Sequence, residues 1–449
     1  MANKYIILLL VCLLLSLILI QGAKSELSPI LQWSKTYPRP PQTTQDNLNI
    51  TYIDGAYRIL QTKDSGFVAV GNILNYLYRG THSSGDYNYS AMLQKTDATG
   101  QLQFRKIDVN FSEPKAIFQN QDLGYTIITR ECLLKTDEEG NINSNRNYDA
   151  TIFGAAQIPN EGYIFSATNQ RSGFIFKTDL DGNLLWNTTL FSFPSIRYGL
   201  CITNVEVAVD KGYFVAYGDG SADDAIGKDF INLVIYKVGL DGSIQYTKSY
   251  SYDASQDQNI DPVLGKQWGY PATLQEVSVC ATSDGGCVLF GGAVFNGGQF
   301  LAPFMVKLDS EGNWEWNKSY AQGNTVNSIF SSTIQTQGGF VAAGGYMHNS
   351  PGYRAPVFGL DAQGNFLWNH TFYSLNQYAW INHVISTKQG GFAAGGELGG
   401  DFFIAVFDLS PNNESLNNIQ TMLVLAIVGV VVFCLAGIII YIKKKSITQ

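Results

Sequence analysis

A short segment recurs along the chain, and its first copy constrains the fold more than any other feature of the sequence. That copy is LQWSKTY, residues 31–37, and no glycine turn precedes it. Five similar segments lie downstream, each directly after a turn that contains glycine: 102–108, 184–190, 244–250, 314–320 and 366–372. A strand that comes first in the chain but belongs last in its repeat is typical of a closed ring, because the N-terminus then completes the final unit.

Each repeat begins with two apolar strands joined by a tight turn. Seven such turns occur, and we expect glycine to supply the positive φ in each of them: Gly66, Gly124, Gly162, Gly212, Gly286, Gly339 and Gly391. A third strand often ends in Lys-x-Asp, as at Lys95 and Asp97, and the recurrent segment forms the fourth strand. Only six fourth strands follow in order, so residues 31–37 must supply the seventh.

The predicted fold is therefore all-β, a seven-bladed β-propeller closed by an N-terminal strand and occupying residues 26–409. A linear solenoid would need a cap at each end, and the sequence shows neither. In a four-stranded blade, the turns between strands one and two and between strands three and four lie on one rim of the ring. These turns are short here, and we call this side the tight-turn rim.

Both ends of the chain carry apolar segments. Residues 1–25 read as a secretory signal with a cleavage site at Ala23-Lys24-Ser25, although an uncleaved anchor would look similar. After a linker at 410–420, residues 421–442 form an apolar run long enough to cross roughly 30 Å of hydrocarbon as one transmembrane helix. The basic tail at 443–449 places the C-terminus in the cytoplasm and predicts a single-pass type I protein of the cell membrane.

Charge argues against nucleic acid as a partner. Without the five lysines at positions 4, 24 and 443–445, the net charge falls from −8 to −13. No basic stripe remains to bind a phosphate backbone. We expect the membrane as one partner, through the C-terminal helix, and an unidentified extracellular protein or glycan as the other.

The blade motif resembles known propeller families. Its glycine-ended second strand, Asp-Gly turn and tryptophan-bearing fourth strand resemble exported prokaryotic surface β-propellers, especially archaeal ones. The doublets Gly291-Gly292, Gly344-Gly345 and Gly395-Gly396 resemble Kelch blades, and DLDGNLLW (179–186) is similar to the blades of quinone-dependent dehydrogenases. The resemblance covers residues 31–409 and implies that the fourth-strand tryptophans pack between blades: Trp33, Trp186, Trp316 and Trp368.

Catalytic motifs are weak. The four histidines include no pair at metal-ligand spacing, and the sialidase-type Asp box is missing. Asp179, Asp181 and Asn183 could begin a cation loop, but no glutamate follows at the spacing of an EF-hand, so a hairpin turn is favoured. We predict no catalytic residues, no metal and no cofactor.

Cysteine and asparagine positions suit an exported protein. Cys280 and Cys287 flank a predicted hairpin loop and could form a disulfide, although two buried thiols would give the same pattern. Seven Asn-x-Ser/Thr sequons are candidate glycosylation sites: Asn49, Asn88, Asn110, Asn187, Asn317, Asn369 and Asn413. Asn187, Asn317 and Asn369 share one repeat position after the fourth-strand aromatic, which predicts a solvent-facing site.

The rim opposite the tight turns carries the connections between strands two and three and between successive blades. We call it the long-loop rim, because its segments 38–56, 75–89, 219–230, 251–270 and 347–354 are long. They hold aromatic and acidic residues suited to recognition: Tyr76, Tyr78, Tyr87, Tyr89, Asp219, Asp223, Asp224, Asp229, Trp268 and Tyr270.

The sequence thus favours a membrane-anchored extracellular binding or scaffolding propeller with its long-loop rim facing away from the membrane. One alternative is an extracellular hydrolase or lyase acting on polysaccharide at the propeller centre. Another is a passive envelope protein whose long loops are only solvated spacers.

Overall fold

The computed structural model describes residues 29–38, 54–77, 86–108, 113–169, 172–192, 200–223, 228–253, 274–295, 300–320, 326–348, 352–375 and 378–409. These residues form 28 β-strands in seven four-stranded antiparallel sheets, and none of them lies in a helix. The described part of the chain accordingly contains no helix that could cross a membrane. The segments predicted as signal, linker, transmembrane helix and tail lie outside the described residues.

We number the blades in chain order. Blade 1 contains β2 (Asp54–Gln61), β3 (Phe67–Leu77), β4 (Asp86–Thr96) and β5 (Leu102–Asp108). Blade 2 contains β6 (Ala116–Gln119), β7 (Tyr125–Ile128), β8 (Cys132–Thr136) and β9 (Ile142–Asn147). Blade 3 contains β10 (Thr151–Ile158), β11 (Gly162–Thr168), β12 (Ser172–Thr178) and β13 (Leu184–Ser192). Blade 4 contains β14 (Leu200–Val207), β15 (Tyr213–Asp223), β16 (Lys228–Val238) and β17 (Ile244–Asp253).

The remaining blades follow the same order. Blade 5 contains β18 (Leu274–Ala281), β19 (Cys287–Phe295), β20 (Phe300–Leu308) and β21 (Trp314–Ser319). Blade 6 contains β22 (Val326–Thr336), β23 (Gly339–His348), β24 (Tyr353–Asp361) and β25 (Phe366–Ser374). Blade 7 contains β26 (Ala379–Ser386), β27 (Phe392–Leu398), β28 (Asp401–Asp408) and the N-terminal β1 (Ile30–Tyr37).

Ring closure by the N-terminal strand is confirmed. The seventh sheet has the order β1-β28-β27-β26, so β1 pairs with the third strand of the last blade. The first strands of the seven sheets contact one another in a closed cycle, from β2 through β6, β10, β14, β18 and β22 to β26 and back to β2. The described part of the chain is therefore an all-β seven-bladed propeller with its first strands around the centre.

An outer contact joins each fourth strand to the next blade. The ring of Trp33 packs against Gly100, in the turn between strands three and four of blade 1, where a Cβ would lie 2.8 Å from the indole. Trp33 Nε1 also donates to Ala98 O at 3.0 Å, and Tyr37 Oη donates to Gly100 O at 2.8 Å. Trp186 and Trp316 pack in the same way against Gly242 and Gly364. The expected packing of tryptophan between blades is thus confirmed.

Inner contacts join the first strands. Three polar side chains each accept a hydrogen bond from a backbone N–H of the next blade: Asn204 from Val279 N, Ser332 from Val384 N, and His383 from Ile59 N. Three glutamines each accept one from a turn of the preceding blade: Gln61 from Lys388 N, Gln119 from Lys63 N, and Gln335 from Ser283 N. The ring is therefore closed by polar contacts near its axis as well as by apolar packing outside.

The lysine of the Lys-x-Asp motif ties the third strand to the first turn. Lys95 Nζ is almost fully buried and lies 2.8 Å from Asp64 Oδ2 and 2.9 Å from Gln103 Oε1. Partial burial alone would raise the pKa of Asp64, but the hydrogen bonds from Lys95 and Thr62 lower it to about 2. Similar pairs recur in blades 3, 4 and 5: Lys177–Glu161, Lys237–Asp210 and Lys307–Asp284.

The expected role of glycine in the first turns needs correction. In blades 1, 2 and 4 the residue with positive φ is not the glycine but the residue before it: Ser65, Leu123 and Lys211. Glycine is required there because its Cα approaches the third strand; a Cβ on Gly66 would lie 2.2 Å from Thr96 O. Glycine does adopt a positive φ in the other four turns, at Gly162 and Gly339 as expected. In blades 5 and 7 it is Gly285 and Gly390, the residues before Gly286 and Gly391, that do so.

We expect Trp33→Ala to destabilise the ring. The substitution removes the packing on Gly100 and the edge-on contact with Phe67, whose ring centroid lies 5.7 Å away. Loss of such an aromatic should lower the free energy of unfolding by about 3 kcal/mol, measured by urea denaturation. Leu184→Ala is the control, because Leu184 is 57% exposed on an outer strand and should change stability by less than about 0.5 kcal/mol. Equal effects of the two variants would contradict closure by this contact.

Candidate functional site

The predicted binding-face residues fall partly on strands rather than loops. Tyr76 pairs with Tyr87 and Leu74 with Tyr89 in the β3–β4 hairpin, while Ala222 pairs with Asp229 and Asp223 with Lys228 in the β15–β16 hairpin. Asp219 pairs with Asn232 in the second of these hairpins. Tyr78, Asp224, Trp268 and Tyr270 lie outside the described residues.

These two hairpins are longer than their counterparts. Each runs through eleven residue pairs, whereas the same hairpin has four pairs in blade 2 and six in blade 3. The extra pairs lie toward the long-loop rim, because the hairpins begin beside the tight turns. The segments 75–89 and 219–230, which we expected to be loops, therefore continue the strands at both ends.

An exposed aromatic patch lies on the same rim, where the chain passes from blade 6 to blade 7. Tyr373, Leu375 and Tyr378 are 64%, 76% and 43% exposed. Arg354 lies over the ring of Tyr373 at 5.3 Å, and the rings of Tyr353 and Tyr378 are 4.8 Å apart. We call these five residues the aromatic patch. They offer flat apolar faces with hydroxyl and guanidinium groups at their edges, a combination suited to binding a protein or a sugar.

Sequence reasoning missed the aromatic patch. Tyr373 directly follows the recurrent segment 366–372, which the repeat identifies only as an outer strand. The available signal was the density of aromatics in FLWNHTFYSLNQYAW, residues 366–380, where the repeat does not require all of them.

A second group of polar residues lies near the ring axis. It contains Glu206 of blade 4, Cys280 of blade 5, His383 of blade 7 and Arg58 of blade 1, all on first strands. Asn204 Nδ2 donates to Glu206 Oε1 at 2.8 Å, and Arg58 Nε donates to Lys115 O at 2.7 Å. We call Arg58, Glu206, Cys280 and His383 the axial cluster.

Burial changes the protonation of the axial cluster. It raises the pKa of Glu206 to about 7, although the hydrogen bond from Asn204 and the charge of Arg58 oppose this shift. Burial lowers the pKa of His383 to about 3, and the charge of Arg58 acts in the same direction. Burial also raises the pKa of the Cys280 thiol, and the Glu206 charge adds to this effect. Near neutral pH, Glu206 is the member that exchanges its proton.

The candidate disulfide between Cys280 and Cys287 is not formed. The register pairs Cys287 with Ala281 and Cys280 with Val288, so the two cysteines are one position out of register and lie on opposite faces of the sheet. Cys287 packs in the core shared with blade 4, and Cys280 packs toward blade 6. Both are free thiols, which agrees with the alternative of two core cysteines.

The Asp179 segment forms a hairpin turn, as favoured from the sequence. Asp179 Oδ1 accepts from the backbone N–H groups of Asp181 and Asn183 at 2.9 and 2.8 Å. Asp179 Oδ2 accepts from Asn183 Nδ2 at 2.7 Å. In the described ranges, no group of three or more His, Cys, Asp or Glu side chains has the arrangement of a metal site.

The sequons at the shared repeat position differ in exposure. Asn187 and Asn369 are exposed on their outer strands, as expected. Asn317 is only partly exposed, and its Nδ2 atom is buried without a hydrogen-bond partner among the described residues. Asn88 lies opposite Asn75 in the β3–β4 hairpin, and Asn49, Asn110 and Asn413 lie outside the described residues.

No family model matches this chain, and no curated protein matches its sequence. Similar solved structures include BamB from Moraxella catarrhalis, with 11% identity over 80% of this chain and 100% of BamB and a TM-score of 0.40. The WD40 domain of Pan2 from Neurospora crassa has 9% identity over 80% and 90% of the two chains and a TM-score of 0.42. A gluconolactonase from Xanthomonas campestris has 11% identity over 66% and 87% and a TM-score of 0.36. These likenesses leave the function open.

We expect glycans on Asn187 and Asn369 but not on Asn317 when the chain is exported in a glycosylating host. The reason is that the sugar is attached to Nδ2, which is buried in Asn317. Glycopeptide mass spectrometry of the folded protein measures the occupancy of each site, and Asn187→Gln identifies the mass contributed by one glycan. A fully occupied Asn317 would contradict the orientation of this side chain.

Glu206 should make folding stability pH-dependent. Its folded pKa of about 7 lies above its ordinary value of 4.5, so the carboxyl contributes stability that is fully present below pH 4.5 and is lost as the pH rises through about 7. Glu206→Gln should remove this loss, which is at most about 3 kcal/mol. Urea denaturation at pH 4.5 and pH 8 measures it, and the exposed Glu311→Gln controls for charge removal alone. An unchanged difference between the two pH values in Glu206→Gln would contradict the assignment.

Proposed function

We propose that this protein is a membrane-anchored propeller on the outside of the cell, which binds an extracellular protein or glycan through its long-loop rim. The observation that carries the proposal is the aromatic patch, because Tyr373, Leu375 and Tyr378 are all exposed within six residues of the chain. Exposed apolar side chains concentrated in one part of the surface commonly mark an interaction site. The export signal and the C-terminal helix predicted from the sequence support the location, with the long-loop rim facing away from the membrane.

The prolonged hairpins of blades 1 and 4 support the same rim. A rigid ring that carries projecting strands of unequal length presents an uneven surface, and binding sites are usually built on such variable segments. The tight-turn rim is uniform by comparison, since its turns are held by the lysine pairs and by the packing of fourth-strand aromatics. Recognition by the long-loop rim therefore leaves the contacts that close the ring undisturbed.

The experiment uses the full-length chain in lipid nanodiscs, tested on a glycan array and against extracellular proteins captured at the cell surface. The patch variant Tyr373→Ser/Tyr378→Ser should weaken partner binding at least tenfold, because loss of a central aromatic anchor typically costs about 2 kcal/mol or more. The matched control is Val209→Ser/Leu240→Ser, which removes two exposed apolar side chains from the tight-turn rim, 64% and 46% exposed.

Loss of binding in the control, with binding retained in the patch variant, would place the site on the other rim and contradict the proposal. Melting curves of both variants show whether either substitution disturbs the fold. The patch residues are exposed, so we expect melting to change little.

The axial cluster supports a second candidate function, hydrolysis or elimination of polysaccharide at the propeller centre. A carboxyl with a pKa of about 7, such as Glu206, can donate and accept a proton at neutral pH. The two functions differ in what Glu206→Gln should do. Loss of polysaccharide cleavage in this variant with binding retained would favour the enzyme, whereas absence of cleavage by the unmodified protein would favour the binding module.

A further inference from the structure

A cavity of about 360 Å³ lies between blades 1 and 2. Its wall is mostly apolar, and the polar residues in it are Lys106, Thr129, Thr136 and Asn141. The apolar residues include Val70, Met92, Leu93, Ile127, Leu134 and Ile142. Lys106 Nζ donates to Asn141 Oδ1 at 3.0 Å beside the cavity. Ile107 and Ile142 are 45% and 41% exposed, so apolar surface is open to solvent there. The volume lies within the range of small-molecule sites, roughly 300–1,000 Å³.

The repeat explains why the cavity exists. In six blades, a large apolar side chain at or just after the end of the fourth strand packs into the space beside the next blade, which we call the inter-blade slot. It lies four residues after the fourth-strand aromatic, or after Ser144 in blade 2. The six residues are Tyr37, Tyr148, Leu190, Tyr250, Tyr320 and Phe372. In blade 1 the corresponding residue is Asp108, whose backbone pairs with Ala91, as that of Tyr250 pairs with Leu233. Ala91 lines the cavity.

The occupied slots also share a hydrogen bond. The hydroxyls of Tyr37, Tyr148 and Tyr320 each donate to the carbonyl of a glycine in the next blade, at 2.8, 3.0 and 2.9 Å. This glycine lies in the turn between strands three and four, which we call the third turn. Tyr250 makes the same bond to Gly312 O. Where the slot residue is Leu190, the nearby Thr188 hydroxyl donates to Gly242 O instead, at 2.6 Å.

A slot residue carries a hydroxyl only where the acceptor, the glycine carbonyl between strands three and four of the next blade, is present. Blade 7 has no such turn, because its fourth strand, β1, comes from the N-terminus. The residue that faces this blade is Phe372, which has no hydroxyl and packs edge-on against Phe403 at 4.7 Å. The slot between blades 1 and 2 does contain the turn glycine, Gly140, which lines the cavity. Among the described residues, no tyrosine or threonine hydroxyl donates to its carbonyl.

We propose that the slot between blades 1 and 2 is a binding site for a phenolic ring, seated among Val70, Leu93 and Ile127 with its hydroxyl donating to Gly140 O. The ligand would supply the ring and the hydrogen-bond donor that tyrosine supplies between other blades. A free phenol and the tyrosine side chain of a partner share this chemistry. The site is separate from the aromatic patch and from the axial cluster, and it does not depend on the function proposed above.

The test uses p-cresol as probe and the full-length chain in nanodiscs, compared with Asp108→Tyr in the same preparation so that partition into lipid is common to both. We expect p-cresol to raise the melting temperature of the unmodified protein saturably and to leave that of Asp108→Tyr unchanged. Asp108→Tyr itself should melt higher, because it fills the cavity from within. Asp108→Asn is the matched control; it removes the charge without filling the slot and should retain the response.

Toluene tests the hydrogen bond, since it has the same ring without a donor. It should bind roughly tenfold more weakly than p-cresol, the equivalent of one lost hydrogen bond. N-acetyl-tyrosinamide separates the two sources: a response to p-cresol alone indicates a free phenol, and a response to both indicates a tyrosine side chain. Equal responses of the unmodified protein and Asp108→Tyr, no response in either, or a lower melting temperature of Asp108→Tyr would each overturn the proposal.

Discussion

The contact between a fourth strand and the following turn is the interaction on which the ring depends. A four-stranded blade has two apolar faces and can bury them only against its neighbours, so the blades must be held at a fixed angle and spacing. Trp33 and Tyr37 do this for blades 7 and 1, with the indole against Gly100 and the hydroxyl on its carbonyl. A larger residue at Gly100 would separate the blades. Where the following turn is missing, Trp368 stacks on Phe392 instead.

Much of the fold could be predicted because this contact leaves a local signature. An aromatic after a glycine turn recurs often enough to count blades, and the unmatched copy at residues 31–37 identifies the closing strand. The errors arose where a neighbouring strand decides the outcome. Gly66 is required by the approach of Thr96 O rather than by its own φ, and the faces of Cys280 and Cys287 depend on a register set elsewhere in the sheet.

The candidate sites were harder to predict because they join residues that are distant in sequence. Arg58, Glu206 and His383 each look like an ordinary polar residue on an apolar strand, and only ring closure brings their first strands around one axis. Burial there, rather than any local motif, gives Glu206 a pKa of about 7. The aromatic patch combines residues from the end of blade 6 and the start of blade 7, a junction that repeat analysis treats as a boundary.

The two rims differ in how much the length of their turns and hairpins can vary, and this difference limits where a binding surface can evolve. On the tight-turn rim, the first turns bind the buried lysines and neighbouring glutamines, and the third turns hold fourth-strand aromatics. A change in the length of these turns would break contacts within or between blades. The hairpins between strands two and three extend away from this rim, so their far ends vary from four to eleven residue pairs while the same ring persists. Because new surface can be added only where closure does not depend on it, the long-loop rim is the side on which this fold can acquire specificity.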